Sequence, residues 1–336
     1  MAGLAAAAEA RERGAEVLHL EKGDVAGGAM LHSSGVIWRH AAWEDFRAEC
    51  PDGDEALQRL LWERLDDDLD WLEAHGARVT QPETGNPRTV GRRFDTASIV
   101  SALGRGVQLR EPLIAAPDGV PVVLATGGFA ASRELLREHV TPEPVLRRTT
   151  PWSTGDGLRI GIEAGGRMSA GMGEVYGRAM PAAPLVRERW IPDAQLYARH
   201  ARVAGDDGEP YEARTWSEID VVQWIARRPG ARAWFTVAPE KMGERTPYGT
   251  VAEQIARAEA AGAEVRRDAS GAATVHVAAA VTTTLGGLAT DPRGRVATGL
   301  WAAGADAGGM AAGGYCSGLA GALVMGRIAA AAALEG

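Results

Sequence analysis

Pro121-Val122-Val123-Leu124-Ala125-Thr126-Gly127-Gly128-Phe129 is the stretch on which the fold turns. It is a short apolar run without polar alternation, the mark of a strand covered on both faces, and it ends in paired glycines where backbone must turn tightly. Working outward, Leu300-Trp301-Ala302-Ala303 repeats that pattern between Gly299 and Gly304, and Glu16-Val17-Leu18-His19-Leu20 reads as another short buried strand ending at Glu21. Helical segments fall between them. Gly3 to Arg13 is Ala-rich and stopped by Gly14, and Asp54 to His75 sets Leu57, Leu60, Leu61, Leu65, Leu69 and Leu72 on one broad face. Gly155 to Ala164 is a short helix, and Ser317 to Leu334 a longer one. Strands alternating with helices, with glycine at the junctions, predict an α/β fold built on a doubly wound parallel sheet. The middle of the chain differs: Trp216 to Ala226 looks helical and Ala231 to Val237 strand-like, so residues 171–270 read as an inserted α+β domain. Residues 1–170 and 271–336 then form one discontinuous domain.

Composition narrows the function. The 336 residues carry 36 Lys and Arg against 44 Asp and Glu, a net charge of −8, which argues against a nucleic-acid partner. Glycine, at 43 residues, is in excess of the usual ~7%, and its clusters at strand ends favour a nucleotide-type cofactor. Cys50 and Cys316 are far apart, with no Cys/His cluster, so no metal site is expected and the thiols suit a reducing, cytoplasmic location. The uncharged stretch from Ala307 to Gly326 is long enough to cross a bilayer. Its glycines make it read instead as a loop running into a helix, with no membrane partner.

A dinucleotide site requires a strand, a G-x-G-x-x-G turn, a helix whose N-terminus faces the pyrophosphate, a second strand and an acid for the ribose. Gly3 opens the helix and Glu21 closes the second strand, at the separation expected between the last glycine and the acid. The sequence opens at Met1-Ala2-Gly3, so the first strand and the earlier glycines are expected to be missing, as from an internal start. An Ala-rich helix followed by a strand ending in Glu is the bland alternative.

Further segments match one pattern in order: Gly27-Gly28-Ala29-Met30 with Ser33-Ser34-Gly35, then Thr126-Gly127-Gly128, then Thr154-Gly155-Asp156-Gly157. Thr282-Thr283-Thr284-Leu285-Gly286-Gly287 follows, and finally Gly299 to Gly304 with Gly308-Gly309, Ser317-Gly318-Leu319 and Gly326-Arg327. Together they resemble the fumarate reductase/succinate dehydrogenase flavoprotein superfamily over most of the chain. That resemblance implies a Rossmann-like FAD-binding domain with an inserted capping domain, and FAD-dependent oxidoreduction of a small-molecule substrate, with an unidentified electron acceptor. By position it implies FAD contacts from Gly3, Glu21, Lys22, Gly28, Ser33, Ser34, Gly35 and Val107. It implies others from Ala125, Thr126, Gly127, Asp156, Gly304, Asp306, Ser317, Gly318 and Leu319. Asp306 reads either as a ribityl partner or as a solvated loop residue, since the family's acid aligns with Ala305. His32 does not align with the histidine that carries covalent flavin, so FAD is expected to be noncovalent.

The chain departs from the family at the substrate. Fumarate reductases hold carboxylates with a His before the Gly-Gly motif and an Arg in the C-terminal motif; here stand Thr282 and Thr283, and the Gly313 region. The Thr-rich motif resembles the tricarballylate dehydrogenase branch and disfavours succinate or fumarate. The capping-domain motif is blurred into Gly208-Glu209-Pro210-Tyr211, and the segments Val107–Val122 and Arg266–Thr274 are short for the family. A degenerate, non-catalytic remnant is therefore the alternative. Tyr176, Arg178, Thr283 and Tyr315 are the candidate catalytic residues, with Arg199 and His200 as further polar candidates; for each, a surface or packing role is the competing reading.

Overall fold

The computed structural model describes residues 1–214 and 219–336. Its contacts divide into two units. The first comprises Met1–Leu135, Thr150–Glu174 and Thr283–Gly336, the second Leu136–Thr149 and Val175–Thr282. Sequence alone drew the junctions near residues 170 and 271 and left residues 136–149 with the first unit. They group with the second because Leu146–Arg147 pairs in parallel with Ala280–Val281, and because the Thr141 hydroxyl donates to the Ala226 carbonyl at 2.7 Å.

In the first unit the Ala2–Glu12 helix packs along the Gly318–Glu335 helix. Small residues set the approach: a Cβ on Gly326 would come within 2.6 Å of the Ala2 carbonyl oxygen. A third helix, Glu55–Ala74, joins them. Its N-cap Asp54 accepts from the backbone N–H groups of Ala56 and Leu57, satisfying donors the helix itself leaves open. Arg327 ties the three helices: its Nε donates to Glu9 at 2.7 Å, its Nη1 pairs with Asp68, and its guanidinium lies 4.3 Å from the Trp71 ring centre. Burial lifts Asp68 above the usual carboxylate range even with Arg327 and Arg64 beside it. Burial works the same way on Glu9, but Arg13 and Arg327 together hold it below that range.

Among the described residues of the first unit, strands pair in parallel in two places. His19–Glu21 pairs with Val107–Leu109, and Val122–Leu124 pairs with Leu300–Ala302, which also pairs antiparallel with Arg295–Ala297. An antiparallel sheet of Val36–His40, Thr89–Phe94 and Val79–Gln81 completes the unit. Gly91 is required there, because a Cβ would stand 2.1 Å from the Ile37 carbonyl oxygen.

The expected strand Glu16–Leu20 is corrected on two counts. It spans His19–Glu21, and it is half-buried, with Leu18 just before it 68% exposed. His19 stands at its first position. Its buried Nδ1 has no hydrogen-bond partner, and burial, with Arg11 nearby, brings its pKa down to about 4. The uncharged C-terminal stretch divides at Ser317 into loop and helix. The Gly318–Glu335 helix is long and apolar enough to cross a bilayer by length and composition, yet 61% of it is buried within the protein.

The second unit centres on a mainly antiparallel sheet in which Ala273–Thr284 pairs with Val265–Arg267 and Arg232–Val237, and the latter with Arg202–Gly205. Val203, Phe235, Val275 and Val277 alternate inward and pack with Tyr197 and the helices Ile219–Ile225 and Val251–Ala260. The helix expected over Trp216–Ala226 is Ile219–Ile225 in its described part; Trp216, Ser217 and Glu218 lie outside the described residues.

Candidate functional site

The Ala2–Glu12 helix begins without a side-chain cap, so its first-turn N–H groups are not taken up by a capping side chain. Gly3 lies in that turn. A Cβ there would meet His19 Nε2 at 3.2 Å and the Ala125 methyl at 3.5 Å, so a glycine lets the helix start close to both parallel strands. Glu21, at the end of the next strand, accepts from the Gly23 N–H at 2.7 Å. Lys22 reaches across to the Thr154–Gly157 turn, donating to Thr154 Oγ1 at 2.6 Å and pairing with Asp156. Gly155 takes φ +89°, which an L side chain rarely adopts, and N-caps the Asp156–Glu163 helix.

Asp306 is the centre of the second cluster. It is 1% exposed, so it is not a solvated loop residue. Its carboxylate accepts from the Thr126 N–H, from Thr126 Oγ1 at 3.0 Å and from the Gly128 N–H at 3.0 Å. Thr126 Oγ1 in turn accepts from the Gly157 N–H at 3.0 Å. Burial raises the Asp306 pKa, with Asp156 adding to the rise and the Thr126 and Gly128 donors opposing it. This network locks the turn after Val122–Leu124 to the start of the Asp156–Glu163 helix. Sequence offered no signal for it, because the partners are 180 positions apart.

Around the loop between the first parallel strand and the antiparallel sheet, Gly28 takes φ +53° with open space where a Cβ would stand. Ser33 Oγ accepts from the Gly35 N–H at 3.1 Å and donates to the Met30 carbonyl at 2.8 Å, while the Gly35 carbonyl accepts from the Phe94 N–H at 2.9 Å. Ser34 is half-buried in the same loop. Val107 pairs with His19. At the C-terminal motif, Gly304 lets Ala2 approach to 3.0 Å of its Cβ position, and Ser317 caps the last helix by accepting from the Ala320 N–H at 3.3 Å. Gly318 N–H faces the Tyr315 hydroxyl at 3.4 Å, and Leu319 is the next residue of that turn.

The catalytic candidates are less concentrated. Tyr315 stands edge-on to Trp38 at 6.0 Å, and Thr283 Oγ1 donates to the Thr284 carbonyl at 3.4 Å, both in the first unit. Tyr176 and Arg178 lie on strand Val175–Pro181 of the second unit, the guanidinium 5.1 Å from the phenol ring centre; Arg199 and His200 form a 3-10 turn there. Gly286 and Gly287 owe their identity to close backbone packing: a Cβ would come within 2.4 Å of Met172 Cα and within 2.6 Å of the Asp306 carbonyl oxygen respectively. Two features went unread in the sequence. Arg148, 7% exposed, donates to the Trp190 carbonyl at 2.8 Å and to Thr282 Oγ1 at 3.0 Å. A cleft of about 330 Å³ in the second unit is lined by Met180, Pro181, Leu185, Val186, Arg189 and Asp193. No group of His, Cys, Asp and Glu that would hold a metal occurs among the described residues.

A family model for the FAD binding domain matches residues 1–118 and 114–318. The chain belongs to this family of fumarate reductase/succinate dehydrogenase-type FAD-binding flavoproteins. FAD is thus its cofactor and flavin-dependent oxidoreduction its class of activity. No curated protein matches the chain in sequence. Among solved structures, an open-form flavocytochrome c3 fumarate reductase superposes with TM-score 0.69 at 20% identity, covering 99% of this chain and 76% of that one. The 3-ketosteroid delta1-dehydrogenase of Sterolibacterium denitrificans gives 0.69 at 16%, covering 99% and 98%. The 3-ketosteroid-delta4-(5alpha)-dehydrogenase of Rhodococcus jostii RHA1 gives 0.64 at 18%, covering 99% and 94%. At these identities the likeness is one of fold. The residues present fit FAD: a glycine in the first turn of the Ala2–Glu12 helix, a strand-end carboxylate at Glu21, and a glycine at position 28 with open space beside it.

Proposed function

We propose that the chain binds FAD noncovalently and exchanges a hydride with a substrate carbon beside an electron-withdrawing group. The observation that carries this is the joint geometry of the first helical turn at Gly3 and the Glu21 carboxylate, with Lys22 bridging to Thr154 and Asp156. Bound FAD supplies the two-electron chemistry. The protein's part is to place the pyrophosphate against helix N–H groups and the ribose against Glu21, so that the reacting atoms meet in fixed geometry. The second unit serves as the capping domain, with Tyr176 and Arg178 as the groups offered to substrate and to a proton. The same reading covers the electron acceptor, a separate small molecule or protein, and a cytoplasmic setting suited to the buried free thiols of Cys50 and Cys316.

A dicarboxylate substrate is not favoured. Thr282 and Thr283 bring only neutral hydroxyls, the buried Arg148 guanidinium beside Thr282 is turned to the Trp190 carbonyl, and the Gly313 N–H already donates to Glu174 at 2.8 Å. Reconstitution with FAD tests the reading: a flavin spectrum should appear, and acid precipitation should release all the flavin to the supernatant. Protein that stays colourless overturns the cofactor reading, and flavin that stays with the pellet overturns noncovalent attachment.

A further inference from the structure

Trp152 is a large aromatic side chain left 39% exposed, one residue after Pro151 and just ahead of the Thr154–Gly157 turn. Its position is set with some care. The edge of the indole lies against Gly23: a Cβ there would come within 2.8 Å of Trp152 Cδ1 and 3.0 Å of Nε1. The same Cβ would stand 3.0 Å from Glu21 Oε1, the oxygen that accepts from the Gly23 N–H. Gly23 has no positive φ, so close approach, not backbone conformation, is what requires glycine here. The turn is held on both sides. Lys22 binds Thr154 and Asp156, the Thr154 N–H donates to the Trp152 carbonyl at 2.9 Å, and Arg110 and Glu111 donate to the Gly23 and Glu21 carbonyls at 3.0 Å. An indole is thus held beside the strand-end carboxylate, with much of its surface open.

An acid in that place binds the ribose of a dinucleotide, and the base leaves the ribose on the side away from the pyrophosphate. We propose that Trp152 is the aromatic platform for the purine of the adenosine moiety, kept in place by glycine at position 23. The assignment rests on the reading of Glu21 as the ribose acid. Stacking is the physical basis, since a base and an indole bury two flat apolar faces with little entropy to lose. Alanine substitution of such a platform weakens nucleotide binding by about 5- to 150-fold.

Titration of the apoprotein with ADP, FMN and FAD tests it, with circular dichroism as the check on folding. Trp152→Ala should bind ADP at least ~5-fold more weakly, Trp152→Phe within about twofold of the wild type, and FMN affinity should be unchanged in both. ADP should quench indole emission in the wild type, and that quenching should disappear in Trp152→Phe. Equal or tighter ADP binding by Trp152→Ala, in protein that still takes up FAD, overturns the assignment and leaves the cofactor reading intact. Wild-type protein that takes up neither FAD nor ADP overturns both. Should Trp152→Ala fail to fold, Gly23→Ala decides the matter: it keeps the indole but displaces it, and unchanged ADP affinity there overturns the proposal.

Discussion

Asp306 accepts hydrogen bonds from Thr126 and Gly128, 180 and 178 positions away, and nothing local in Ala303-Gly304-Ala305-Asp306-Ala307 announces them. Two readings of that residue, ribityl partner or solvated loop, followed from its neighbours alone; its burial removes the second. Glu21 is the opposite case: its place at the end of the strand that follows the Ala2–Glu12 helix was legible, because that helix-strand unit is local. The two acids should therefore respond differently to replacement. Asp306→Ala strands two backbone N–H groups and a hydroxyl in the interior, and each buried unsatisfied donor costs ~1–3 kcal/mol. The expected loss in urea unfolding is at least ~2 kcal/mol, with Asp306→Asn losing less because one acceptor remains. Glu21→Ala gives up only a bond to its near neighbour Gly23, so stability should barely change while FAD affinity falls by ~1.5–3 kcal/mol, the range for a charged hydrogen bond. Unchanged stability in Asp306→Ala would show that the turn holds itself. Unchanged FAD affinity in Glu21→Ala would return that residue to a surface role.

Helices were the elements read most accurately, because each carries its own signals: the leucine face and Asp54 cap of Glu55–Ala74, and the Ser317 cap of Gly318–Glu335. The three-residue strands were read less well, since pairing partners rather than local pattern fix their limits. His19 opens the strand His19–Glu21 and His40 closes the strand Val36–His40, and both are neutral by environment. Burial lowers each pKa to about 4, helped at His19 by Arg11 and opposed at His40 by Asp45. An imidazole of this kind takes its proton in the unfolded chain, near pH ~6.5, before it does so in the native one. Its contribution to stability is full above pH ~6.5 and is lost as pH falls through the folded value of about 4. Denaturation midpoints should hold steady from pH ~8 to ~6.5 and decline between ~6.5 and ~4.5, above the range where most carboxylates titrate. His40→Gln should flatten part of that decline. A flat wild-type profile across the window would contradict the assignment.

On the scale of the whole molecule, the ordered glycine motifs were enough to place the chain in its family, since each marks a backbone approach that few other residues allow. The membership of Leu136–Thr149 in the second unit was not legible, because it rests on long-range pairing with Ala280–Val281. The substrate is where the sequence departs from its family and where the structure adds most. A small dicarboxylate is held tightly and oriented by charged donors, above all by paired Arg–carboxylate contacts. In this chain Thr282 offers only a neutral hydroxyl, the buried Arg148 beside it is turned to the Trp190 carbonyl, Gly313 offers a backbone N–H that Glu174 already engages, and Thr283 turns its hydroxyl to the next carbonyl. Losing charge and orientation together should cost several orders of magnitude in rate, because positioning supplies roughly 7–11 kcal/mol of a barrier. The chain reconstituted with FAD is therefore expected not to reduce fumarate with a reduced viologen as donor, nor to oxidise succinate, while its flavin remains reducible by the dye. Arg178, on strand Val175–Pro181, is the residue whose replacement would expose a substitute anchor. Turnover of fumarate near the enzyme median of ~10 per second, abolished in Arg178→Ala, would show that a different set of donors holds the carboxylates.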